Sequence, residues 1–313
     1  MPVFGIIFPE GYKTGGSSLL INDKSLFRKT LTYIIFAGPS TFAFLSVTIA
    51  SFIFGIYLSF TDWDGISSSN SFVGFGNYLS TFLDTQFMNS LLLTVKFVLF
   101  AVILTNIVAF ALAYFLSKGI SGSNFFKSAF FTPNLIGGII LGLIWRFIFN
   151  EGLVNLGEKL NITAITGSML STPEKAFWAL VIVFVWQVSG YMMIIYIAGL
   201  MNVPIELMEA ADIDGANWFH KMKNIILPLV MPAFTICIFL TLQRAFMTYD
   251  INLSLTQGGP FNSTELVAMR VYNKAFISEQ YGIGQAQAFV LFLIVVAATM
   301  IQVYFSKKSE VEM

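Results

Sequence analysis

Six long apolar runs, near residues 31–60, 87–116, 125–149, 176–201, 224–250 and 285–306, occupy most of this 313-residue chain. A helix needs about 20 predominantly apolar residues to cross the hydrocarbon core of a bilayer, and each run supplies that length. The chain is 56% hydrophobic with 34 Phe and only 11% charged residues, where a soluble domain carries about 25% charge; its mean hydropathy is +0.77. Backbone amides in lipid must be satisfied within the segment itself, which leaves helices or closed barrels. Barrel strands would alternate over about ten residues, whereas these runs are continuous. The breaks carry turn chemistry, as at Asp64-Gly65, Ser67-Ser68-Ser69-Asn70 and Gly258-Gly259-Pro260. The expected fold is all-α integral membrane with six spans over residues 31–306, tails at 1–30 and 307–313, and no separate soluble domain. Val3 to Phe8 is too short to span and precedes its basic residues, so it is not a secretory signal. The run from Leu31 outlasts a signal-peptide core and reads as an uncleaved helix.

Basic residues orient the bundle. Lys13, Lys24, Arg28, Lys29, Lys118, Lys127, Lys221, Lys223, Lys307 and Lys308 fall on the side of the N-terminus, ten of the 17. Lys159, Lys175, Arg270 and Lys274 fall on the other; Lys96, Arg146 and Arg244 lie within or at the ends of runs. The positive-inside rule makes both tails and the segment 202–223 cytoplasmic. Several chemistries drop out. One Cys, Cys237, cannot form an internal disulfide and reads as a small packing residue, while one His, His220, cannot build a multi-histidine metal site. The balance of 17 basic and 17 acidic residues gives no footprint for nucleic acid. No paired catalytic groups appear in the spans, and no Walker loop is present to hold nucleotide.

Between the fourth and fifth runs lies Glu209 to Pro232, EAADIDGANWFHKMKNIILPLVMP, a charged segment in an apolar chain. Pro204 suits the start of a short helix, Glu206 and Glu209 sit toward its exposed half, and Gly215 allows a sharp turn into a second helix. An L-shaped knob continuous with the fifth span is expected. The pattern E-A-A, three residues, Gly, nine residues, I-x-L-P resembles the EAA motif of permease subunits of ATP-binding-cassette (ABC) importers, with every fixed position filled. Further segments resemble the carbohydrate-uptake branch of those permeases: Phe125-Phe126-Lys127 through Thr132-Pro133-Asn134, Gly142-Leu143-Ile144-Trp145 with Phe149-Asn150, Pro204-Ile205-Glu206-Leu207, and Leu255 to Pro260. Val271-Tyr272, Ala275-Phe276 and Tyr281-Gly282 extend the likeness, which covers residues 30–306. The N-terminal tail and Arg244 depart from it.

The resemblance implies a type I permease fold with a cytoplasmic coupling helix in which Glu209, Ala210, Ala211, Asp214, Gly215, Leu227 and Pro228 engage an ATPase. It implies a second permease subunit, most often a different chain, two ATPase subunits that bind ATP and Mg, and an extracellular solute-binding protein. This chain would be a bacterial inner-membrane translocation subunit, neither enzyme nor cofactor-binding, that moves a sugar or oligosaccharide. Polar residues in the spans mark a path. Thr241, Arg244 and Thr248 recur at helical spacing, Gln187 and Tyr191 lie one turn apart, and Asp250 follows near the outer end. In relatives resembling maltose permeases a Tyr placed like Tyr191 contacts sugar. Two readings of Arg244 stay open, a cavity residue and a structural cation between helices. Two readings of the function stand beside the main one: the same machinery importing glycerol-phosphate or a related polyol, and an ion-coupled secondary transporter, disfavoured by the scarcity of membrane carboxylates.

Overall fold

Many large apolar side chains in this chain point outward, and small or polar ones share the interior with a core of Phe, Leu and Met. The computed structural model describes residues 23–67, 70–162 and 167–308. Most of the tail expected over 1–30, Ser68, Ser69 and residues 309–313 lie outside them. Among the described residues the secondary structure is helical apart from one isolated bridge between Thr61 and Phe72. Six helices are long and apolar enough to cross a membrane: α1 (Thr30–Ser59), α3 (Thr85–Ser117), α5 (Gly138–Leu160), α6 (Pro173–Met201), α8 (Trp218–Phe246) and α11 (Tyr281–Lys308). Shorter elements join them: α2 (Gly76–Leu83), α4 (Ser123–Leu135), α7 (Ile205–Ile213), α9 (Asp250–Leu255) and α10 (Val267–Tyr272).

The chain divides into two units, one ending at Phe54 and one beginning at Gly55. The first is helical through its described part, with Pro39 inside the helix and a π-helical turn at Phe44–Ile49. The second holds the core. Along α3, Ser90, Thr94, Ala101, Thr105 and Ala109 are buried while Leu92, Leu99, Ile103 and Ile107 are exposed. Small inward residues let helix backbones approach, and large outward ones meet lipid, the pattern of a membrane bundle rather than a soluble one. Helix α6 is the most enclosed, and Phe97 to Phe184 and Phe110 to Tyr196 contacts, 5.4 and 5.5 Å between ring centres, lock it to α3.

Two expected runs are redrawn. The run 125–149 breaks at Ile136 and Gly137, both with extended backbone, between α4 and α5. Pro133 removes a donor from the last turn of α4, and Gly137-Gly138 leave a helix at little steric cost, although both flanks are apolar. The run 224–250 starts earlier, at Trp218, and stops at Phe246, so Asp250 opens the separate helix α9. Helix α8 therefore carries half of the polar segment as well as the span.

Candidate functional site

The polar segment folds as a knob whose turn is written in its own residues. Pro204 stands at the N-cap of α7, one position earlier than a first-turn proline. At the other end Gly215 has φ +71°. Its N–H donates to the Asp212 carbonyl at 3.1 Å, and the Ala216 N–H donates to that of Ala211 at 2.9 Å. These two bonds define a Schellman C-cap, which needs a left-handed residue at Gly215. A Cβ there would meet nothing within 4 Å, so the requirement is backbone conformation and not space. Asn217 then caps α8, its Oδ1 accepting from the His220 N–H at 2.9 Å, and Lys221 pairs with Asp212 across the turn.

Glu209, Ala210 and Asp214 are exposed on this knob, while Ala211 is buried beneath it. Ile205, Ile213, Trp218 and Phe219 are exposed beside the carboxylates. His220 is exposed, and Cys237 is fully buried in α8. Leu227 and Pro228 are not on the knob surface. They follow a π-helical turn, Met222–Ile226, in which the Leu227 N–H reaches back to the Met222 carbonyl. Pro228 has no N–H to offer and its ring crowds the carbonyl four residues back, which widens the helix at that point.

At the far end of α8 is a cavity of about 230 Å³ lined by Gln187, Arg244, Thr248, Tyr249 and Asp250 among others. Gly138, which opens α5 directly after the break from α4, forms part of its wall. Ile136, outside any helix, accepts from Gln187 Nε2 at 3.1 Å, and Asn134 Oδ1 accepts from Arg244 Nη1 at 2.6 Å. Non-helical backbone at membrane depth is tolerated where it lines a cavity. The Arg244 guanidinium lies over the Tyr191 ring, 5.0 Å from its centre, a cation–π contact that fixes both groups. Gly190 lets α4 come this close, since a Cβ there would sit 1.8 Å from the Phe130 carbonyl oxygen. The structure thus brings Gln187, Tyr191, Arg244, Thr248 and Asp250 together. Thr241 stands apart: it is fully buried, its hydroxyl donating to the Cys237 carbonyl at 2.7 Å, and it faces the packed side of α8. Thr248 is also turned back, donating to the Arg244 carbonyl at 3.0 Å.

Sequence reasoning overlooked three polar groups. Asn106 accepts from Tyr196 in the core at 2.7 Å. Asn252, fully buried, donates to the Thr264 carbonyl at 2.8 Å and accepts from the Leu266 N–H at 3.0 Å. Asp84 pairs with Arg270 at 3.1 Å. For Asn106 a signal existed, an amide in mid-run. The others gain meaning only from residues brought close by the fold.

Comparison with known proteins defines the class. The sequence profile of the binding-protein-dependent transport system inner membrane component family matches residues 121–311, and the chain belongs to that family. Among its relatives, the probable starch degradation products transport system permease protein AmyD of Thermoanaerobacterium thermosulfurigenes is 42% identical over 92% of this chain and 98% of the relative. The multiple sugar-binding transport system permease protein MsmF of Streptococcus mutans is 35% identical over 82% and 89%. The sn-glycerol-3-phosphate permease UgpA of Agrobacterium fabrum is 29% identical over 89% and 91%. A solved bacterial ABC transporter that imports the acidic polysaccharide alginate shares the fold, with a TM-score of 0.78 over 91% of this chain and 98% of that one at 17% identity. The chain is a multi-pass inner-membrane permease of the ABC-importer class, which removes the ion-coupled reading.

Proposed function

We propose that this chain is the translocation subunit of an ATP-driven importer of neutral oligosaccharides, delivered by an extracellular solute-binding protein. The observation that carries the mechanism is the continuity of α8 from the knob to the cavity. Over its 29 residues, at about 1.5 Å per residue, the helix runs from the Gly215 turn, across which α7 presents exposed Glu209, to Arg244 at the other end. A partner ATPase gripping the knob would move the cavity wall as a lever. Closure of two ATPase subunits on ATP and Mg would bring two such knobs together and turn the cavity outward, and hydrolysis would reset it. Glu209, Ala210, Asp214 and Gly215 form the coupling surface, Ala211 seats it on the bundle, and Leu227 and Pro228 set the angle at which it joins the span. A second permease subunit, as a different chain, completes the path.

The substrate reading rests on the starch-product and multiple-sugar relatives together with the cavity chemistry. Gln187, Thr248 and Asp250 line a polar cavity beside the Tyr191 ring and Arg244, a mixture that suits a polyol once their internal contacts are exchanged for sugar hydroxyls. The glycerol-phosphate reading draws on UgpA and on Arg244. However, that cation is already held by Asn134 and Tyr191, and the Asp250 carboxylate shares the cavity and would repel a phosphate. Uptake by the reconstituted importer tests the choice. With maltotriose, Arg244→Gln is expected to lower uptake by less than about tenfold, because Gln still donates hydrogen bonds. Measurable glycerol-3-phosphate uptake that Arg244→Gln abolishes would reverse the assignment.

A further inference from the structure

At the end of the bundle away from the knob, the loop 256–266 holds three non-glycine residues in the left-handed region: Gln257 (φ 53°), Phe261 (φ 54°) and Asn262 (φ 59°). Glycine takes this conformation freely and a phenylalanine rarely does. The loop is nevertheless firmly anchored. Buried Asn252 ties it at Thr264 and Leu266, the Thr264 hydroxyl donates to the Gly259 carbonyl at 2.6 Å, and the Thr264 N–H donates to that of Gly258 at 3.0 Å. What this fixed backbone presents is the Phe261 ring, 97% exposed.

The ring stands at the edge of a groove of about 390 Å³ between the loop and the first two turns of α3, a volume within the range of small-molecule sites. Apart from Leu93, Phe261 and Glu265, its lining is neutral and polar: Gln86, Asn89 and Ser90 from α3, Asn262 and Ser263 from the loop. Ser263 Oγ is buried without a hydrogen-bond partner among the described residues, a cost a native fold ordinarily avoids. The one carboxylate, Glu265, is already engaged, accepting from Asn273 at 2.8 Å. Backbone strain that exposes an aromatic at the lip of such a groove points to a ligand that uses both.

We propose that this groove is a second carbohydrate subsite, outside the cavity of Gln187 and Arg244, where a pyranose lays its C–H face on Phe261 and exchanges hydrogen bonds with Asn89, Asn262 and Ser263. Amides and hydroxyls both donate and accept, as sugar hydroxyls do, and a site without free charge suits a neutral glycan. The inference rests on the carbohydrate reading above.

Saturation-transfer NMR on the assembled permease in lipid nanodiscs, with maltotriose as probe, tests it. Transfer to sugar protons is expected with the parent protein, reduced about fivefold by Phe261→Ala, within the range an aromatic contact supplies. It should fall in Asn89→Ala and be retained in Phe261→Trp. Asn89 is an exposed helix residue whose truncation does not threaten the fold, so loss there speaks for the groove itself. Equal transfer in all variants overturns the subsite. So does impaired uptake by Phe261→Ala with sugar binding intact, which would make the loop a contact for the delivering protein or for lipid. No transfer in the parent protein while maltotriose uptake proceeds rejects the rim site alone; no uptake of any maltodextrin rejects the transport reading itself.

Discussion

Asp84 serves two elements at once. Its Oδ1 caps α3, accepting from the Gln86 and Phe87 N–H groups at 2.9 and 3.3 Å, and its Oδ2 accepts from Arg270 Nη2 at 3.1 Å, with Lys274 Nζ 3.9 Å away. Burial opposes its ionisation, but the Arg270 hydrogen bond, the Phe87 N–H and the nearby charge outweigh that, and the carboxyl is held below the usual range. A depressed folded-state pKa contributes stability that is complete above the unfolded value of about 3.9 and is lost as pH falls through the lower folded value. Asp84→Asn should cost about 2 kcal/mol at pH 7, because a charged bond is lost and Arg270 stays half-buried without it. It should also remove that group's share of the acid-side loss. Fluorescence-detected melting of the purified protein between pH 7 and pH 3 checks both; parent and variant curves that coincide would deny the network a stabilising role. None of this was legible along the chain, since Asp84 and Arg270 are 186 positions apart. Arg244 was legible as a charge in a span, yet its partner Asn134 lies 110 positions earlier.

Elements were readable where their causes are local. The knob is the clearest case: Pro204, Gly215 and Asn217 each set a helix end within a few residues, and the expected two-helix turn is found there. The run 125–149 is the opposite case, because hydropathy does not register a break whose flanks are both apolar, and the extended residues at Ile136 and Gly137 are stabilised by Gln187 from a distant helix. Gly215 offers a test at this scale. A left-handed residue with a Cβ costs about 1–2 kcal/mol, more when β-branched, and space around it is open. Gly215→Val should therefore insert and fold normally but redirect α7 against α8. The expected result is retained protein level with loss of sugar-stimulated ATP hydrolysis in the assembled importer, and recovery in Gly215→Asn, since Asn tolerates this conformation. Full coupling in the valine variant would show that the turn's shape is not transmitted.

For the whole molecule the sequence sets an expectation: if each of the six helices long and apolar enough to span does cross, both ends of the chain fall on one side, which the excess of basic residues marks as cytoplasmic. The second unit agrees in its own layout: the knob precedes α8 and the loop 256–266 follows it, so one span separates them. Lys118 and Lys127 flank the α3 to α4 turn on the knob's side, with Tyr114 accepting from Trp218 Nε1 to hold that turn's neighbour against α8. The prediction is made with single cysteines in a Cys237→Ala background, which costs little because the thiol packs as a small apolar group. Asn217→Cys should react with a membrane-impermeant maleimide only after the membrane is opened, whereas Phe261→Cys should react in intact cells. Reaction at position 217 in sealed cells would invert the bundle, and with it the coupling role of Glu209, since nucleotide and the ATPase that uses it are found only inside.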